Sequence, residues 1–205
     1  MMMASSSSPI RQSLKKIKQK YSSNESVGLE IIDYVDMSFK DQAEKLFPMS
    51  LLELWYSELK ESTMDLKDDA YILIQQMMMV FLRRLMRLAS TTCDYNQLKN
   101  PCIETILKHI GWPKPLFKEA ISSMSKNQRN DQELIKQLTH YFKSHKWDDF
   151  TEGNSINNLL YWLFEYITVK SVKDASFGRR KTISDEMLLN HWEITPSVII
   201  NDIMI

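Results

Sequence analysis

Pro101-Cys-Ile-Glu-Thr-Ile-Leu-Lys-His-Ile110 and Leu159-Leu-Tyr-Trp-Leu-Phe-Glu-Tyr-Ile167 bracket the stretch that decides the fold, Leu98 to Val172. The first segment reads as a helix with Asn100 as its cap and Pro101 at its first position, where the missing N–H has no intrahelical partner to lose. Gly111-Trp-Pro-Lys-Pro115 ends it. A short helix over 115–124 follows, then a polar turn from Ser125 to Asn130. Asp131 starts the next helix, which runs to about Ser144 with Leu134, Ile135, Leu138, Tyr141 and Phe142 facing inward. Trp147 and Phe150 anchor the connection, and Asn154 or Ser155 caps a helix over about 156–171 that carries the aromatic run.

Upstream, Thr63 or Asp65 starts the strongest helix, ending near Ser90. Ala70, Leu73, Ile74, Met77, Met78, Phe81, Leu85, Met86 and Leu88 give it an apolar surface wide enough to be buried on several sides. Arg83, Arg84 and Arg87 read as charges complementing its C-terminal dipole. Ser50 with Glu53 forms a capping-box pattern for a helix bearing Leu51, Leu54, Trp55 and Leu59. One or two short helices are expected between Val27 and Phe47. Downstream, Phe177 to Glu186 reads as an exposed linker, Glu186 to Trp192 as a last helix, and Pro196 to Ile205 as an apolar, β-branched tail.

The fold expectation is therefore all-α, an irregular multi-helix bundle of about six to eight helices with flexible termini. Residues 1–25 form a basic arm, 26–172 the helical domain, and 173–205 a linker and tail. Only 4 glycines and 6 prolines in 205 residues leave little turn chemistry for a sandwich, barrel or doubly wound sheet. The 13 methionines suit helical cores.

Charge excludes some partners and points to others. The net charge is zero, so no global field selects nucleic acid or an anionic membrane. Yet the first 24 residues carry five cations, Arg11, Lys15, Lys16, Lys18 and Lys20, and no acid. Ile10, Leu14, Ile17 and Tyr21 lie on one helical face of this arm. Its partners are expected to be acidic proteins or the chain's own acidic body. No apolar run reaches membrane-spanning length, and no secretory signal is visible.

Catalytic chemistry finds no footing in the motifs. His109, His140, His145 and His191 have no metal-ligand spacing. Gly-rich phosphate loops and nucleophile elbows are absent from the sequence. Cys93 and Cys102, nine residues apart, fit neither a zinc pattern nor a disulfide framework, and read as reduced thiols of a cytosolic protein. Asp148-Asp149 after Phe142-Lys-Ser-His-Lys-Trp147 opposes phosphate, so that stretch reads as a helix end with an aromatic anchor, not a nucleic-acid platform. No enzyme activity, cofactor or metal is expected. Arg179-Arg-Lys-Thr182 places basic residues two and three positions before a hydroxyl, which suits a basophilic kinase. Thr182 and the nearby Ser184 are the candidate phosphorylation sites.

The order of these elements resembles the stalk tip of dynein heavy chains, the small helical head that holds microtubules. It is carried by a long helix over 63–90, the Pro-started Leu98-Lys-Asn-Pro101, then Ile135-Lys-Gln-Leu-Thr-His-Tyr141. Trp147, Phe150 and Leu159-Leu-Tyr-Trp162 complete it. The resemblance implies an all-α head that contacts tubulin through its first and last helices. Lys99 and Lys108 are the basic residues of the first, whereas the last offers the uncharged Asn154, Ser155, Asn157 and Asn158. The gap from Phe150 to Trp162 is shorter than in the family, and no heptad helix leaves after Val172 to close a coiled coil. The expected function is a non-enzymatic structural or adaptor protein of microtubule or ciliary assemblies, in the cytoplasm, with the basic arm on acidic tubulin tails. The alternative is a helical signalling scaffold regulated by phosphorylation.

Overall fold

The widest apolar surface in the sequence becomes one of two 25-residue helices around which the others gather. The computed structural model describes residues 37–59, 64–93, 98–110, 112–126, 129–147, 150–179, 181–183 and 187–188. Among them are seven helices: α1 (Met37–Leu46), α2 (Met49–Ser57), α3 (Asp68–Thr92), α4 (Asn100–His109), α5 (Lys114–Ser125), α6 (Gln132–Ser144) and α7 (Gly153–Phe177). Two short strands, β1 (Asp65–Leu66) and β2 (Thr182–Ile183), pair in parallel. The all-α bundle expected from the periodicity is the architecture observed. The residues of the basic arm and of the apolar tail lie outside the described residues.

α1, α2 and α4 pack on α3, while α5 and α6 pack on α7, and α3 touches α7. Trp55, Phe47, Phe142 and Phe164 are fully buried in the core these helices share, with Leu52, Leu73 and Leu82. Met77, Met78 and Met79 sit in the same core, where unbranched side chains fill gaps between helices crossing at unequal angles. Phe81 of α3 stacks on Trp112 at 5.9 Å between ring centroids, and Trp112 meets Trp162 of α7 at 5.5 Å. One indole thus joins the two long helices. Trp147 is buried too, and Phe142 stacks on Phe150 at 4.3 Å, so this stretch is the aromatic anchor its sequence describes.

Helix ends depart from expectation for physical reasons. α2 starts at Met49 behind Pro48, whose extended ψ of 148° makes it the cap in place of Ser50. α3 starts at Asp68, because Asp65 and Leu66 are held extended against β2. It also runs on to Thr92, so the three arginines are not in its last turn. Arg84 is buried, and Arg83 Nη2 donates to Gln42 Oε1 at 2.8 Å, fastening α1 to α3. Lys99, not Asn100, caps α4. α7 starts at Gly153 and passes residue 172 to reach Phe177. A Cβ on Gly153 would lie 3.0 Å from Ile135 Cγ2, so a side chain there would push Ile135 back by a few tenths of an ångström, and glycine lets α7 start close against α6.

α6 ends through Lys146, whose φ of 69° is left-handed, with Trp147 N–H donating to Phe142 O at 3.1 Å. This is a position glycine fills without steric cost. Lys146→Gly is expected to raise unfolding free energy by about 1 kcal/mol, read as a higher denaturant midpoint; an unchanged or lower midpoint would contradict the assignment.

Cys93 and Cys102 correct the reduced-thiol expectation: they form a disulfide. Cys93 caps the C-terminus of α3 and Cys102 lies in the first turn of α4. The packing of α4 on α3 brings their Cα atoms to 6.0 Å, inside the range a disulfide spans.

Candidate functional site

Two local constructions stand out where chain segments distant in sequence meet. The first begins with Arg129, read in sequence as part of a polar turn. Its Nε and Nη2 donate to Asp131 Oδ2 and Oδ1 at 3.2 and 2.9 Å, and Nη1 pairs with Glu58 at the end of α2. The guanidinium lies 4.9 Å from the Tyr161 ring centroid and 6.0 Å from that of Trp55. Trp55 Nε1 donates to Asp131 Oδ2 at 3.2 Å. The amide of Asn157 satisfies both its atoms when its nitrogen donates to Asp131 Oδ2 and its oxygen accepts from Asp131 N–H. Asn158 Oδ1 accepts from Arg129 N–H at 3.0 Å.

This cluster explains why Asp131, the N-cap of α6, makes no side-chain capping bond: its carboxylate is engaged by Arg129, Trp55 and Asn157. It also places Asn157 and Asn158 inside the body, 0% and 3% exposed, and not on a partner-facing surface. The side chains of Arg129 and Asp131 are 12% and 13% exposed. Charge-assisted bonds at that burial fix geometry more strongly than at an open surface. The group ties α2, the α5–α6 connection and α7 into one unit. The sequence signal for it is weak: an Arg-x-Asp pair, and two asparagines at the start of an otherwise apolar helix.

The second construction is a clasp. Asp65 pairs with Thr182 and Leu66 with Ile183, and Asp65 N–H donates to Lys181 O at 3.4 Å. Side chains in register share a face of a parallel pair. Asp65 and Thr182 form the outer pair, exposed and half-buried, while Ile183 is buried with Leu66 half-buried beside it. Met187 and Leu188 are buried beyond it. The turn leading in is exposed: Phe177 is 95% exposed, and Gly178, Arg179 and Lys181 are exposed too. Arg179 takes a left-handed φ of 53° to reverse the chain. The segment from Phe177 onward was expected to be an exposed linker; instead β2 returns to the body, because Ile183 has a core position to fill.

Around the clasp lies Tyr56, whose hydroxyl donates to Met64 O at 2.6 Å. Burial raises the Tyr56 pKa, the Met64 bond lowers it, and the Asp65 charge raises it. Tyr71 meets Tyr56 edge-on at 6.4 Å, and burial with the charges of Glu53 and Asp68 pushes its hydroxyl up to about 12. A tyrosine whose folded pKa exceeds its unfolded value contributes stability below pH 10 that is lost as pH rises towards 12. Unfolding free energy should fall across that window. Tyr71→Phe should flatten the fall, and an equally steep fall in the variant would contradict the assignment.

The residues singled out from sequence fall as follows. Lys99 and Lys108 are exposed at the two ends of α4. Thr182 is in β2. Arg11, Lys15, Lys16, Lys18, Lys20 and Ser184 lie outside the described residues. Among the described residues, no group of three or more His, Cys, Asp or Glu gathers to hold a metal ion, and no helix is long and apolar enough to cross a membrane. Compared with known proteins, the chain matches no family model, no curated protein and no solved structure.

Proposed function

We propose that this protein is a non-enzymatic interaction scaffold, a helical body that holds charged segments in place for protein partners. One observation carries the reading. The most elaborate polar cluster described, around Arg129 and Asp131, directs its hydrogen bonds at neighbouring helices, whereas Lys99 and Lys108 stand exposed on a short helix. Polar chemistry is spent on joining elements, and the charges left at the surface suit long-range attraction of an acidic partner.

In its narrower form the proposal is an adaptor of microtubule or ciliary assemblies, located in the cytoplasm. The order of helices supports it: a long helix, a helix with proline in its first turn, two short helices and a long aromatic helix, as in the dynein stalk tip. Salt-sensitive cosedimentation with microtubules is the expected result. It should weaken several-fold in Lys99→Glu/Lys108→Glu and further on deleting residues 1–24. Failure of the full chain to pellet at low salt would sink the microtubule reading.

A further inference from the structure

We propose that Thr182 is a phosphoacceptor whose modification opens the clasp and frees the segment behind it from the body. The inference rests on the scaffold reading and supplies its regulation. Two features of the clasp argue for it together. The recognition half of the motif is accessible, since Arg179 and Lys181 are exposed on a turn that also leaves Phe177 uncovered. Among the described residues, the acceptor half is held in a ladder of two residue pairs, against Asp65.

The step itself is ordinary phosphoryl transfer by a basophilic kinase. The Thr182 hydroxyl oxygen bonds the γ-phosphorus of ATP, the bond from that phosphorus to the β–γ bridging oxygen breaks, and ADP leaves. The hydroxyl proton passes to a carboxylate of the kinase. A kinase binds its acceptor in extended form and apart from other strands, so the ladder opens first. The ladder bonds of the two residue pairs, the Asp65 N–H bond to Lys181 O at 3.4 Å and the burial of Ile183 oppose that opening. Such a short pairing belongs to the low-stability end of a fold.

Once made, the phosphate keeps the ladder open. It adds roughly two negative charges on the face of β2 that is in register with Asp65. Asp68 and Asp69 begin α3 only a few residues on. The partner in register with Thr182 across the pair is a carboxylate. Like charges at that separation repel, and the cheapest relief is separation of the strands. Ile183, Met187 and Leu188 leave their buried positions with β2, so the body loses a cover and the released segment gains an apolar face.

The test uses the full chain, a basophilic serine/threonine kinase and ATP, with sites mapped by mass spectrometry and amide exchange read before and after. Phosphate at Thr182 should speed exchange of the Asp65 and Ile183 amides by about tenfold or more, with α3 and α7 unchanged. In Asp65→Asn the same phosphate should produce a smaller acceleration, because the opposing charge is gone. Thr182→Val should take up less phosphate and keep the slow exchange. Equal phosphate uptake by Thr182→Val, or phosphate at Thr182 with unchanged exchange at Asp65, overturns the proposal. The scaffold reading fails separately, on a chain that captures no protein partner in either state, and that outcome leaves the exchange result standing.

Discussion

Asp131→Ala should lose about 3–5 kcal/mol of unfolding free energy, the largest effect of any polar substitution in the described body. The magnitude follows from what the carboxylate leaves behind. Arg129 Nε and Nη2, Trp55 Nε1 and the Asn157 amide all converge on it. Trp55 is fully buried and sits edge-on to Tyr161 and Phe164, each at 5.4 Å, so its N–H cannot turn to water without breaking the aromatic packing. Arg129 keeps the Tyr161 and Trp55 rings and, as its ion partner, Glu58, whose side chain is 42% exposed and so contributes about 1 kcal/mol at most. Asp131→Asn keeps the shape and one acceptor but loses the charge, and should fall between, at about 2 kcal/mol. Denaturant unfolding measures both. A loss under about 1 kcal/mol for alanine would mean that the cluster is not a structural junction.

Reducing the Cys93–Cys102 bond should cost about 3 kcal/mol, the chain-entropy value for a closed loop of this length. The bond links the end of α3 to the first turn of α4, and both cysteines pack against the core. Its loss leaves the end of α3 and the start of α4 held by the packing between the two helices. The midpoint of unfolding should drop when a dithiol reductant is added. In Cys93→Ser/Cys102→Ser the midpoint should start low and ignore the reductant. A wild-type chain indifferent to reduction would remove the bond from the list of stabilising features.

Local signals and non-local ones divide what the sequence reveals. The helices are legible because burial imprints a period on the chain: Leu134, Leu138, Tyr141 and Phe142 mark the buried face of α6 without any knowledge of its neighbours. Helix starts are less legible, since Ser50, Asn100 and Asp131 have the right side chains for capping and none makes a capping bond. At Asp131 the reason is visible, as tertiary partners outcompete the local amide. The Arg129 cluster escaped the sequence reading because Glu58 and Asn158 lie far from it along the chain. The disulfide escaped it because nine residues is a spacing without a motif; the packing of α4 on α3 makes it a contact. The clasp left no trace at all. Two-residue strands carry no period, and Asp65-Leu66 looks like the start of the helix that follows.

That clasp joins positions roughly 120 residues apart, with five helices, α3 to α7, strung between its two strands. Closing it early would mean drawing a long floating loop together for two pairs of residues, and the entropy of that loop forbids it. It can close only after the intervening helices have assembled and brought their ends side by side. The two strands therefore record the completion of the fold: a chain whose Asp65 and Thr182 are in register is one in which every helix between them has already found its place.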